Sequence, residues 1–314
     1  MTYSLPQALY EGVKLGRNVD VFLRGGLGNQ LFQYAFGIEA SRRLDATLML
    51  RADLLPQSQD AIGQVSRFPF ALSQLGVAAS NRWGLKQPAY GTSLVSKLLQ
   101  LQRDVAERHC APFLRLGFLA CEHRHEFQEI SYPWWINSLC LRSDTALEHL
   151  PIIRKQLYNL KDTGDDYRHL LEISKQVSIL AVHFRQGDYL RHQPKYGSLN
   201  LNYFRDAITP HLGPGVSVWV FSDSDFTESE LGTQLYREFA DKWIGPDVGM
   251  TPLELVSIMA RAKYFVGSNS TLSWWVGVLG YENSSNICMP LIKEAQSNVT
   301  TQLGDMSGWQ VIPV

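Results

Sequence analysis

Residues 18–51 constrain the fold most tightly. "VDVFLRG" (19–25) is rich in β-formers and reads as a strand, and Gly25, Gly26 and Gly28 then interrupt it within four positions. "NQLFQYAFGIEASRRL" (29–44) carries Leu31, Tyr34, Ala35 and Ile38 at helical spacing, with Phe32 and Phe36 on an adjoining face. Apolar groups cover most of that circumference, so the helix is expected to be deeply buried. Arg42 and Arg43 fall in its last turn, where cations suit the helix dipole. "ATLMLR" (46–51) reads as a second strand. Strand, helix and strand in so short a span form a βαβ unit, which demands a parallel sheet.

The same alternation returns after residue 176. "VSILAVHFR" (177–185) and "VSVWVFSD" (216–223) are nearly continuous apolar runs, as in strands buried on both faces. Helices are expected over "LNYFRDAITPHL", broken near Pro210, over "ESELGTQLYREFA", over "TPLELVSIMARA" with a Thr cap and Pro at its first position, and over "STLSWWVGVLGYE". "KYFVGS" and "NICMP" read as strands, the latter as the last one. This half has the pattern of a doubly wound nucleotide-binding domain. Between the halves lie a helical stretch at 91–109, an aromatic patch holding Pro133, Trp134 and Trp135 in a loop, and the polar stretch 159–169, read as a linker.

A chain of 314 residues with 45% hydrophobic and 19% charged residues has a large core. Its 29 basic and 30 acidic residues nearly cancel, which argues against nucleic-acid wrapping or a polybasic membrane anchor. Cys110, Cys121, Cys140 and Cys288 contain no C-x-x-C pair and are expected as free thiols. No apolar run approaches the roughly 20 residues of a membrane span, and the N-terminus lacks a signal-peptide pattern. A cytoplasmic location is therefore expected, with peripheral contact at the inner membrane face if the substrate is lipid-linked. The sequons at Asn269, Asn283 and Asn298 then read as chance matches.

In parallel sheets ligands bind at the carboxyl ends of the strands. Three such ends here are polar: His183-Phe184-Arg185-Gln186-Gly187-Asp188, Phe221-Ser222-Asp223-Ser224-Asp225, and Gly267-Ser268-Asn269-Ser270-Thr271-Leu272-Ser273. Arg185 offers a planar fork suited to phosphate oxygens. The third cluster sets hydroxyls, an amide and backbone N–H groups at a helix start, a ready anion site. Asp223 can accept from ribose hydroxyls or a guanine edge, or cap a helix, and Ser270 can also cap. His183 and Arg185, two apart, share one face of their strand. The dinucleotide fingerprint fails because Leu31 stands where its third glycine belongs, and no P-loop, G-x-S-x-G or paired-cysteine metal motif occurs. Asp223 and Asp225 form a D-x-D, so a metal-dependent glycosyltransferase is one alternative, and a non-catalytic nucleotide-sugar or glycan-binding module is another.

"RGGLGNQLFQYAFG", "VHFRQGDY", "FSDSDF" and "SNSTLSWW" together resemble, in order, the motifs of the α-1,2-fucosyltransferase family, glycosyltransferase family 11. The resemblance implies an α/β, GT-B-like fold with two Rossmann-like domains facing a cleft: an acceptor-side domain over 1–165 and a GDP-sugar-binding domain over 166–314. It implies inverting, metal-free and cofactor-free transfer of L-fucose from GDP-fucose to the 2-hydroxyl of a galactose, on an oligosaccharide or lipid-linked glycan. Arg185 would contact the diphosphate, Asp223 the guanine or ribose, and Ser268, Asn269, Ser270 and Ser273 the phosphates and nucleoside. His183 and Asp188 match the motif's histidine and aspartate and are candidate general bases. Gly25, Gly26 and Gly28 would bring backbone close to the donor, with Asn29 and Gln30 facing the cleft. Two departures are visible: Gln186 replaces a second arginine, and "WWINS" stands where a Gly-Tyr-x-Gln-Ser stretch is expected.

Overall fold

The computed structural model describes residues 18–52, 55, 70–80, 118–119, 135–185, 197–280, 286–293, 295–304 and 308–314. The helix expected at 91–109, together with Cys110, Cys121, Pro133, Trp134, Gln186, Asp188 and Asn283, lies outside them. The chain divides into two compact units, Met1–Ser73 with Val77–His149, and Gln74–Gly76 with Leu150–Val314.

In the first unit β1 (Asn18–Phe22) leads through the glycine turn into α1 (Leu27–Leu44), followed by β2 (Thr47–Arg51), β3 (Ala79–Ser80), β4 (Phe118–Leu119), β5 (Trp135–Ile136) and α2 (Ser143–Glu148). The strands form a parallel sheet in the order β3-β2-β1-β5-β4. Trp135 thus begins a strand rather than sitting in a loop, and its ring packs on Phe22 at 4.7 Å. α1 is buried nearly all round, as its apolar circumference requires. A Cβ on Gly37 would meet Leu48 at 2.7 Å and Val21 at 2.9 Å, so glycine there lets the helix lie close on β1 and β2. Buried Asp20 on β1 accepts from Arg51 Nε on β2 at 2.6 Å, and Arg51 also donates to Ser80 on β3.

At the far end of α1, Arg42 and Arg43 do more than complement the dipole. Both donate to the buried carboxylate of Glu39, and His149 Nε2 lies 3.0 Å from it. Burial alone would raise the Glu39 pKa, but bonds to Arg43, Arg42 and His149 outweigh it and hold the carboxyl below its ordinary range.

The second unit contains α3 (Leu150–Leu157), α4 (Asp165–Ser174), β6 (Ser178–Phe184), α5 (Leu201–Ile208), β7 (Val216–Ser222), α6 (Glu230–Phe239), β8 (Lys242–Ile244), α7 (Pro252–Met259), β9 (Tyr264–Val266), α8 (Thr271–Gly280), β10 (Asn286–Leu291), α9 (Val299–Leu303) and β11 (Gln310–Pro313). Its parallel sheet runs β11-β10-β9-β6-β7-β8. Phe184, Tyr203, Phe204, Val218, Val220 and Val266 meet in its core. The Thr251 cap and Pro252 at the start of α7 stand as expected, completed into a capping box by Glu254.

Two expectations change. The last strand is β11, beyond "NICMP", and β8 was not anticipated; both are short edge strands without a continuous apolar run. The polar stretch 159–169 is not a linker but a hydrogen-bonded corner of this unit. Buried Glu254 accepts from Gly164 N at 2.7 Å, Gln74 donates to Asp162 O, and Asp165 and Asp166 begin α4.

The sheet of the first unit builds outward from β1 on both sides, with β2 on one side and β5 on the other. Gln33, fully buried on α1, spans that division: its Oε1 accepts from Arg24 N at 3.0 Å after β1, and its Nε2 donates to Ser138 O at 2.8 Å after β5. Replacing it with Met removes the side-chain acceptor of Arg24 N and leaves Ser138 O the weak Cys140 Sγ donor at 3.7 Å, at a cost of about 1–3 kcal/mol for each lost bond. Urea unfolding of Gln33→Met should show a loss within that combined range, whereas a change under about 0.5 kcal/mol, as at an ordinary surface site, would contradict the assignment.

Candidate active site

The second sheet reverses direction between β6 and β9. From β6 the chain moves out through β7 to β8, then returns to β9 on the other side and continues to β10 and β11. A parallel sheet opens a crevice at such a switch point, beyond the strand carboxyl ends. His183 and Arg185 come from the end of β6, Asp223 from the end of the adjacent β7, and the Ser-Asn-Ser turn from the end of β9.

Arg185 and Asp223 approach to 4.0 Å, with side chains 15% and 32% exposed. A cation and an anion therefore reach solvent together beside the switch point. The turn holding Asp223 is fixed from below: Ser224 N donates to Ser222 Oγ at 3.1 Å, and Trp243 Nε1 donates to Ser224 O. Asp223 is no helix cap. That role falls to Asp225, which accepts from Thr227 N and Oγ1 and shares a capping box with Glu228, keeping its carboxyl below the ordinary range. The D-x-D pair is thus divided between a helical turn and an arginine, a poor fit to a divalent cation. Among the described residues the metal-like convergence is Glu39, Glu148 and His149, where Arg42 and Arg43 already occupy Glu39.

The side chains of the third cluster build the turn. Ser268 Oγ donates to His183 O and accepts from Arg185 N, joining β6 to the β9 end. Ser273 Oγ accepts from Ser268 N at 2.9 Å, and Ser270 Oγ accepts from Ser273 N as a helix cap. Asn269 donates to Ser297 O and accepts from Val299 N. All four are buried, so what this cluster offers a ligand is chiefly the N-terminus of α8, where backbone donors and the helix dipole favour an anion. Tyr203, beyond the sequence motifs, donates its hydroxyl to Gly267 O at 2.6 Å and supports the same turn. Asn269 and Asn298 are tied into this internal framework, and neither sequon presents a free amide.

His183 is buried, with Nδ1 2.6 Å from Ser273 Oγ. Burial, reinforced by the charge of Arg185, pushes its pKa down to about 3. Asp188 and Gln186 lie outside the described residues.

In the first unit Gly25 adopts φ +70, and a Cβ there would strike Asn29 Nδ2 at 2.5 Å. Gly26 is the extended residue before α1 and Gly28 lies in its first turn. Asn29 is half-buried. Gln30 is fully buried, where the sequence suggested exposure to a cleft: its Nε2 donates to Gly25 O at 2.9 Å and its Oε1 accepts from Ala71 N at 3.0 Å. A buried amide needs such partners, so Gln30 braces the glycine turn. Cys140 and Cys288 are buried thiols outside any disulfide, as expected. No helix among the described residues is long and apolar enough to cross a membrane.

One of the two parallel α/β units carries an arginine and a helix N-terminus at its switch point, and the proteins this chain resembles are glycosyltransferases. A family model described as glycosyl transferase family 11 matches residues 162–312, which supports the resemblance read from the sequence motifs. The O-antigen biosynthesis glycosyltransferase WbnK of Escherichia coli is 25% identical over 284 residues, covering 81% of this chain and 87% of that protein. An α-1,2-colitosyltransferase of Escherichia coli is 23% identical over 272 residues, covering 81% and 84%. The fucosyltransferase NodZ from Bradyrhizobium superposes with a TM-score of 0.47 at 16% identity, over 84% of this chain and 93% of that one.

The depressed His183 pKa carries a pH signature. The unfolded chain takes up a proton near pH 6.5 and the folded chain only near 3, so this contribution to stability is complete above 6.5 and is lost as pH falls towards 3. The loss approaches about 1.4 kcal/mol per pH unit for one group. Denaturant unfolding between pH 6.5 and 4 should show a steeper acid decline for the wild type than for His183→Gln; equal slopes would contradict the burial of a neutral imidazole.

Proposed function

We propose that the protein transfers L-fucose from GDP-fucose to the 2-hydroxyl of a galactose residue on an oligosaccharide or lipid-linked glycan, with inversion and without a metal ion or other cofactor. The observation that carries this reading is the pairing of Arg185 with Asp223 at a switch point that also holds the N-terminus of α8. The acceptor oxygen attacks C1 of the fucose, the bond from C1 to the phosphate oxygen breaks, and its electron pair remains on the departing GDP. Negative charge thus grows on the diphosphate, where Arg185 and the α8 N-terminus stabilise it. Asp223 takes the ribose or the guanine N–H edge. The hydroxyl proton passes to a base from the H-x-R-x-x-D motif, His183 or Asp188. The first unit, with Asn29 beside its glycine turn, serves the acceptor. The divided D-x-D favours the metal-free form of the reaction.

The colitosyltransferase relative favours one second reading, in which colitose is the transferred sugar. GDP release from GDP-fucose, from other GDP- and UDP-sugars and from a colitose nucleotide, with galactose-terminated acceptors, distinguishes these donors. Activity should persist in excess chelator, and Arg185→Ala should cut turnover by about 10²-fold or more, as for loss of one charge-stabilising donor. Near-wild-type turnover in that variant would overturn its role. Inhibition by chelator would revive the Asp223/Asp225 metal site, and GDP-fucose binding without transfer would mark a non-catalytic module.

A further inference from the structure

The hydroxyl of Ser273 has a single proton to give, and its surroundings decide where it goes. Its oxygen already accepts from Ser268 N, and the side chain is fully buried. Among the described residues, the acceptor available to its O–H is His183 Nδ1, at 2.6 Å. A buried hydroxyl left without an acceptor is costly, so Ser273 donates to Nδ1 and the histidine proton sits on the other ring nitrogen. We propose that His183 is a neutral Nε2–H hydrogen-bond donor to the diphosphate of the sugar nucleotide, held in that tautomer by Ser273 as its positioning residue, and is not the general base.

Deprotonating the acceptor hydroxyl would require a bare Nε2 lone pair and hence a proton on Nδ1. That proton would face the Ser273 O–H across 2.6 Å, and the hydroxyl would have to turn away from its one available acceptor. The geometry therefore resists the base form before any charge is considered. Burial beside Arg185 disfavours the doubly protonated ring as well, leaving the neutral donor. The donor also belongs chemically to the position. At the end of β6, two residues before Arg185, it adds a hydrogen bond for phosphate oxygen without adding a charge. The motif position that could have held a second arginine is Gln186 in this chain. Of the two candidate bases, Asp188 remains.

The proposal rests on reading the site as a sugar-nucleotide site, and its test separates the two. ¹⁵N spectra of histidine-labelled, ligand-free wild type should report a neutral His183 ring with its proton on Nε2, and GDP or inorganic pyrophosphate should shift that resonance. Ser273→Ala should mix the tautomers. His183→Gln, which keeps an N–H near the Nε2 position, should hold GDP affinity within about tenfold, while His183→Ala should lose about 10- to 100-fold, the range for one hydrogen bond to a charged group. A proton on Nδ1 in the wild type, unchanged GDP affinity in His183→Ala, or equal losses in the two His183 variants would overturn the proposal. GDP binding with this pattern but no sugar transfer would leave it standing and reject the fucosyltransferase reading.

Discussion

Ser268 closes the joint at the switch point of the second unit's sheet. Its hydroxyl donates to the His183 carbonyl and accepts from the Arg185 amide, while its own amide donates to Ser273, whose hydroxyl meets the His183 ring. Three of these contacts tie the end of β6 to the turn after β9, and the fourth holds the turn itself, at the place where the strand order reverses. A parallel sheet opens a crevice there because the neighbouring crossovers depart to opposite sides. The opening needs backbone rigid enough to aim a guanidinium, and these buried hydroxyls provide it. Arg185 and the start of α8 are thereby set in a fixed relation, which is what stabilisation of growing charge on a leaving group requires.

The first unit solves the same structural problem with another side chain. Its sheet also divides, between β1 and β5, and fully buried Gln33 reaches across from α1 to the backbone after each strand. Gln30 then braces the glycine turn by holding Gly25 O and Ala71 N. Long amides suit this task because each carries a donor and an acceptor on one flexible stem. Polar side chains thus set the strand ends in both units, while apolar packing sets the sheets.

Much of this was legible in the sequence, and the limits have physical causes. β1, α1, β6 and β7 announce themselves through continuous apolar runs or helical spacing, because each is buried on most sides, and half-buried β2 is marked by its place after α1. β3, β4 and β5 are two residues long and β8 and β11 are edge strands, too short or too exposed for any period to show. The stretch 159–169 looked like a linker because its polarity is plain while its partner, Glu254, stands some 90 residues away in sequence. Within the site, Arg185 and Asp223 are found together as the motifs suggested, and partners explain the rest. Ser268, Asn269, Ser270 and Ser273 carry the chemistry of an anion site, yet their side chains are engaged in building the turn. Gln30 and Asp225 likewise look available in sequence and prove committed to backbone. No pattern of spacing marks Gln33 or Tyr203, whose importance lies wholly in long-range contacts.

The central claim is that the β6–β9 switch point of the second unit receives the diphosphate of a GDP-sugar. A crystal structure of the protein with GDP tests it most directly. The account predicts diphosphate oxygens within hydrogen-bond distance of the Arg185 guanidinium, His183 Nε2 and the first backbone amides of α8, with the ribose or guanine on Asp223. GDP bound elsewhere, or bound here with its diphosphate turned away from Arg185 and the α8 N-terminus, would contradict it.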